Sequence, residues 1–125
     1  MAELKFLIVD DSPTMRRIVF NTLKRLGYGE IEEAEQGQEA LDKLKTIPGI
    51  NFVVTDWNMP VMDGLQLVQE IRANSQFSKI PILMVTTRSV KDDIIEAMKA
   101  GVNNYIVKPF TPEVLKAKID AILSK

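Results

Sequence analysis

Three aspartates and one lysine carry the chemistry open to this chain, and each follows a short apolar run. Asp10 and Asp11 follow Leu4–Val9, Asp56 ends the run Val53-Val54-Thr55, and Lys108 follows Tyr105-Ile106-Val107. A hydroxyl, Thr86, follows a fourth run, Pro81–Val85. A β-branched stretch that ends in an acid, with Pro60 soon after, reads as a buried strand delivering one carboxylate to its C-terminal tip. Three carboxylates and one ammonium sum to −2. A dry pocket holds that charge only with protonation or a counterion. A divalent cation neutralises it, and an all-oxygen donor set suits Mg²⁺ better than Zn²⁺. A carboxylate beside Mg²⁺, with a lysine and a hydroxyl nearby, can accept a phosphoryl group, because metal and lysine offset charge on the transferred oxygens.

Composition narrows the alternatives. The 125 residues contain no histidine and no cysteine. That removes imidazole acid–base catalysis, every triad that needs a histidine, the common zinc sites, disulfides and thiol chemistry. The net charge of −1 gives no basis for bulk attraction to nucleic acid or to an anionic membrane. Apolar runs are far shorter than the ~20 residues of a membrane span, and the N-terminus lacks the shape of a signal peptide. With 46% apolar and 26% charged residues, the chain reads as one ordinary globular domain over residues 1–125, without an effector domain. We expect a cytoplasmic monomer.

The elements that must position these groups alternate. Strands are expected at about Leu4–Val9, Glu30–Ala34, Asn51–Thr55, Pro81–Val85 and Asn104–Val107. The first helix has Ser12 as N-cap and Pro13 at its first position, carries Met15, Ile18, Val19, Leu23 and Leu26 at helical spacing, and stops at Gly27. Leu41 and Leu44 mark a second helix ending near Pro48-Gly49. A third, capped by Asp63, carries Leu67, Val68 and Ile71. Ile94, Ile95 and Met98 mark a fourth, closed by Gly101; Thr111-Pro112-Glu113 opens a fifth with Val114, Leu115, Ile119 and Ile122 inward. Strict βα alternation implies a parallel sheet with helices on both faces. All strand C-termini then share one edge, so Asp10, Asp11, Asp56, Thr86 and Lys108 converge where α/β sheets bind ligands.

These positions carry a resemblance that spans nearly the whole chain. Asp10-Asp11, Asp56 within Asp-Trp-Asn-Met-Pro-x-Met-Asp-Gly, Thr86, and Lys108-Pro109-Phe110 resemble the receiver domains of two-component response regulators. Thr14-Met15-Arg16-Arg17 and Tyr105 to Thr111 are similar to the single-domain chemotaxis members of that family. The resemblance implies a flavodoxin-like doubly wound (βα)5 fold with strand order 2-1-3-4-5. It implies that Asp56 is the phosphoacceptor for a partner histidine kinase and that Mg²⁺ is held by Asp11 directly, Asp10 mostly through water, Asp56, and the backbone carbonyl of Asn58. Lys108, aimed by a cis peptide to Pro109, pairs with Asp56 and then with the phosphoryl group. Thr86 bonds the phosphoryl oxygen and shifts toward it, and Tyr105 turns inward into the space that Thr86 vacates. The changed surface, drawn from Lys91, Ile94, Met98, Val102, Tyr105 and Lys118, meets a flagellar motor switch protein; a phosphatase is a further partner. The alternative role is a phosphorelay intermediate or phosphate sink, which would keep the same five residues and differ only in its partner surface.

Plainer roles compete at individual positions. An Asp pair after a strand is often a turn or helix cap, and half of the proposed output residues suit a core equally. Asp63 reads as a helix cap, Trp57 as a packing aromatic on the rim of the site, and Arg16-Arg17 as a solvated helix face. Thr87 stands where the family usually has a small residue. Arg88 stands where it often has an acidic or small one, and with Asn58 it flanks the path of the hydrolytic water. Ser12-Pro13 replaces a bulkier residue after the acid pair. These departures bear on phosphoryl lifetime and phosphatase contacts. A haloacid-dehalogenase-type phosphatase needs a second Asp two residues after the nucleophile, where this chain has Asn58. A flavin binder needs a phosphate loop after the first strand, where Asp10-Asp11 would repel phosphate.

Overall fold

The computed structural model describes residues 3–124. Five strands alternate with five helices: β1 (Lys5–Val9), α1 (Pro13–Arg25), β2 (Glu30–Ala34), α2 (Gly37–Thr46), β3 (Phe52–Thr55), α3 (Gly64–Ala73), β4 (Ile82–Thr86), α4 (Lys91–Ala100), β5 (Asn104–Val107) and α5 (Pro112–Leu123). The strands form one parallel sheet in the order β2-β1-β3-β4-β5. This is the flavodoxin-like doubly wound fold expected above.

Side chains alternate across each strand, so each strand feeds two cores. Phe6, Ile8, Phe52, Val54, Leu83, Val85 and Ile106 face α1 and α5. Leu7, Val9, Val53, Met84 and Tyr105 face α2, α3 and α4. β3 and β4 are buried along their whole length, which explains their uninterrupted apolar sequence. β2 lies at an edge, and its Glu30, Glu32 and Glu33 discourage pairing with another chain.

The helix ends follow the local chemistry. The hydroxyls of Ser12 and Thr111 accept from the amides of Met15 and Val114, and a proline follows each cap. Asp63 caps α3 in a reciprocal box with Gln66. Gly27 and Gly101 take left-handed φ of 102° and 120°, a region that favours glycine.

Three inward or boundary expectations change. Val114 is 41% exposed; Leu115, Ile119 and Ile122 form the buried stripe of α5, and Val114 falls one position outside it. On α4 the buried residue is Ala97, Ile94 is half-buried and Ile95 is exposed, because the helix touches the sheet along a narrow line; Met98 is exposed, in keeping with its place among the expected output residues. β4 begins at Ile82, not Pro81, and runs on to Thr86. Proline has no amide to donate to the ladder, although the Pro81 carbonyl accepts from Val53 N at 2.9 Å.

Register positions the chemistry. Val9 pairs with Thr55, so Asp10 and Asp56 leave the sheet side by side. Thr86 pairs with Val107, which sets Lys108 beside them. The chain goes from β1 outward to β2 and then to β3 on the other side, so this crevice is the topological switch point.

Candidate functional site: an acidic cluster with one lysine

Asp10 and Asp56 converge on one ammonium. Lys108 Nζ lies 2.8 Å from Asp10 Oδ2 and 3.1 Å from Asp56 Oδ2. The peptide between Lys108 and Pro109 is cis, and Lys108 N donates to the Thr86 carbonyl at 2.8 Å. The other oxygen of each carboxylate is also engaged. Ser12 N donates to Asp10 Oδ1 at 2.9 Å and Trp57 N to Asp56 Oδ1 at 2.6 Å. Asp11 is exposed, and carboxylate oxygens of Asp10, Asp11 and Asp56 all lie within 4.8 Å of one another.

Burial pushes the Asp10 carboxyl above its ordinary value, against the hydrogen bonds from Lys108 and Ser12. Burial also acts to lower the pKa of Lys108, but Asp10 and Asp56 together outweigh it and hold the ammonium above its ordinary value. The opposite pulls on the two partners have one cause: a single cation serves two carboxylates in a largely dry crevice. Oxygen donors in excess over one ammonium fit a hard divalent cation such as Mg²⁺.

The loop after Asp56 is tightly closed. Gly64 N donates to the Trp57 carbonyl at 2.7 Å. A Cβ on Gly64 would stand 2.0 Å from the Asp56 carbonyl oxygen, so only glycine allows α3 to begin this close to the phosphoacceptor candidate. Thr86 is fully buried, and its Oγ1 accepts from Arg88 N at 3.4 Å. Tyr105 is 8% exposed and points inward, its hydroxyl donating to the Arg88 carbonyl at 2.9 Å. Burial, with Asp93 and Asp56 adding to it against Arg88, pushes its phenol up to about 12.

Several side chains sit elsewhere than their sequence suggests. Trp57 is 3% exposed and packs in the core under the Arg88 guanidinium, 4.4 Å from the ring centre, not on an open rim. Arg16 is not solvated: Nη1 donates to the Asp10 carbonyl at 2.7 Å and Nε pairs with Glu33 at 3.3 Å, while Arg17 is exposed. Of the output residues, Lys91 and Met98 are exposed, and Ile94 and Lys118 are half-buried. Val102 and Tyr105 are buried and add nothing to the surface in this conformation. Val102 turns inward directly after the left-handed Gly101, and Tyr105 faces α4 from β5. Thr87 is exposed. Asn58 presents its amide oxygen to Arg88 Nε and Nη2 at 3.0 and 2.9 Å.

Sequence reasoning gave no role to Gly64, Gln66 or the Arg16–Glu33 pair. The Asp63-x-x-Gln66 spacing carries a capping-box signal, and a glycine after that cap hints at a close approach. Nothing local links Arg16 to Glu33, which lie on different elements.

Comparison with known proteins agrees with this geometry. The response regulator receiver domain matches residues 6–120. The chain is 57% identical to chemotaxis protein CheY1 of Helicobacter pylori over 120 residues, covering 96% of this chain and 97% of that protein. It is 55% identical to the CheY homolog of Campylobacter jejuni, covering 96% and 92%. Vibrio cholerae CheY4 superposes with a TM-score of 0.88 at 39% identity over 97% of this chain and 99% of that one. A chain of the CheX–CheY–BeF3–Mg complex of Borrelia burgdorferi gives 0.90 at 25% identity, covering 98% and 90%. Topology, the acid–lysine edge and these relatives converge: the chain belongs to the response regulator receiver domain family, among its chemotaxis members.

Proposed function

We propose that Asp56 accepts a phosphoryl group from a phosphohistidine of a partner kinase with Mg²⁺ as cofactor. Its occupancy then alters the surface of α4, β5 and α5 for a flagellar motor switch protein. The observation that carries this reading is Lys108 Nζ, within hydrogen-bond reach of both Asp56 and Asp10 in a cluster that keeps excess carboxylate. Asp10, Asp11, Asp56 and the Asn58 carbonyl would hold the cation. When bound, it offsets charge on the carboxylates and on the transferred phosphoryl oxygens.

The protein's own groups do the rest. An Asp56 carboxylate oxygen bonds to phosphorus as the P–N bond to the donor imidazole breaks, and the imidazole nitrogen leaves with the electron pair. Lys108 moves its hydrogen bond from the carboxylate to a phosphoryl oxygen, and the Thr86 hydroxyl donates to another. Hydrolysis returns the carboxylate, so the domain catalyses its own modification and its reversal rather than turnover of a separate substrate. Tyr105 is the link to the surface, and its inward position supports that role.

Acetyl phosphate with Mg²⁺ should quench Trp57, the only tryptophan, and add one phosphoryl mass; Asp56→Asn should show neither. Retained phosphorylation of that variant sinks the assignment. For output, the phosphorylated protein is titrated with a flagellar switch peptide and with a histidine phosphotransfer domain. No phosphorylation-dependent gain for the switch peptide removes the motor role and leaves the relay.

A further inference from the structure

We propose that Arg88 is a positioning residue whose side chain ties the loop after Asp56 to the first turn of α4, so that a change at the acidic cluster is felt on the helix. The inference rests on the function proposed above. Two guanidinium donors, Nε and Nη2, converge on Asn58 Oδ1 at 3.0 and 2.9 Å. The third, Nη1, reaches Asp93 Oδ2 at 3.4 Å, in the first turn of α4. The guanidinium plane covers the buried Trp57 ring at 4.4 Å. The backbone of the same residue completes the junction: its N–H meets the Thr86 hydroxyl, and its carbonyl receives the Tyr105 hydroxyl.

One residue therefore touches Trp57 and Asn58 beside the acceptor, Thr86 at the end of β4, Asp93 on α4, and Tyr105 on β5. An isolated, half-exposed ion pair to Asp93 would be a weak tether. The fork on Asn58 and the stack on Trp57 make it stiffer, because both orient the guanidinium before it reaches the helix. A lysine has neither the fork nor the plane, so it cannot replace this arginine. The residue that receives the side chain, Asn58, is also the one whose main-chain carbonyl is assigned to the metal. Displacement there must move or break the bridge to Asp93.

The test uses the whole domain with Mg²⁺ and beryllium fluoride. Site occupancy is read from the ¹⁹F resonance of bound fluoride, and the helix from amide hydrogen exchange at Asp93–Ile95 and Tyr105. In the wild type, occupancy should change exchange in that turn by about fivefold or more, a typical size for intersite coupling. In Arg88→Ala the bound ¹⁹F signal should remain while the change in α4 falls below about twofold. Arg88→Lys should fail to restore it, and Asp93→Asn should reproduce the loss from the other end. A bound signal with an undiminished response of α4 in Arg88→Ala overturns this inference alone. Absence of any bound signal in the wild type overturns both it and the reading on which it rests.

Discussion

Arg72 and Arg88 lie at opposite edges of the sheet and turn the same guanidinium chemistry to different ends. At the edge where strands begin, Arg72 donates to the carbonyls of Gly101, Ser78 and Ile80 and to Asn103 Oδ1, at 2.7–3.0 Å. Those carbonyls close the end of α4 and the entry to β4, where backbone acceptors lack helical or ladder partners. Asn103 Oδ1 also accepts from Ile82 N, which extends the staple into the strand. At the edge where strands end, the Arg88 guanidinium meets side chains instead: Asn58, Asp93 and Trp57. One edge satisfies its polar groups mainly with backbone partners. The other leaves three carboxylates against one lysine, the imbalance on which the proposed binding of a cation and acceptance of a phosphoryl group rest.

Substitutions at the two edges can break or sharpen this contrast. The largest effect is expected at Gly64. Alanine there places Cβ against the Asp56 carbonyl, and urea denaturation should show a loss of about 3 kcal/mol or more. Gly29→Ala, at the other edge, meets nothing within 4 Å and should stay within about 0.5 kcal/mol of wild type. Equal losses at the two glycines would remove the distinction.

Arg72→Ala comes next. It strips donors from partly buried carbonyls and should cost on the order of 1–3 kcal/mol by the same measurement. The Mg²⁺ midpoint read from Trp57 should not move. A shifted midpoint would mean that the staple reaches the acidic edge.

The smallest effect appears only as a pH difference, in Asp10→Asn without divalent cations. The Asp10 carboxyl is raised in the fold above its ordinary value of 3.8. Such a group favours folding while protonated, below its unfolded pKa, and that contribution is lost as pH rises through the folded value. Asparagine has no proton to lose. The variant should therefore gain on the wild type as pH rises from about 4 to about 7. Added Mg²⁺ should reverse the order by stabilising the wild type more. A difference independent of pH would show that strain at Asp10 is not electrostatic.

Much of the architecture was legible because it rests on short-range signals. Ser12-Pro13, Asp63 and Thr111-Pro112 cap helices through groups within three residues of one another. The run Val53-Val54-Thr55 has no polar side to turn to water, so it had to be an interior strand. Val114 and Ile95 misled because an apolar residue beside a buried stripe has the same local signature as one within it. Val102 misled for a related reason: it follows a helix that is largely exposed, and only the left-handed turn at Gly101 sends it inward.

The sequence alone determined the alternation of strands and helices, and with it the convergence of Asp10, Asp11, Asp56, Thr86 and Lys108 on one edge. A parallel sheet aligns its C-termini whatever its detailed packing. Only the tertiary structure decided which of those groups touch and what surrounds them. Pairing of Val9 with Thr55 brings Asp10 and Asp56 onto the same ammonium, at distances that no spacing along the chain encodes. Trp57, Arg16, Arg88 and Tyr105 likewise take their roles from partners on other elements. Side chains that meet across a fold owe their contacts to register and packing, and neither is a local property of the chain.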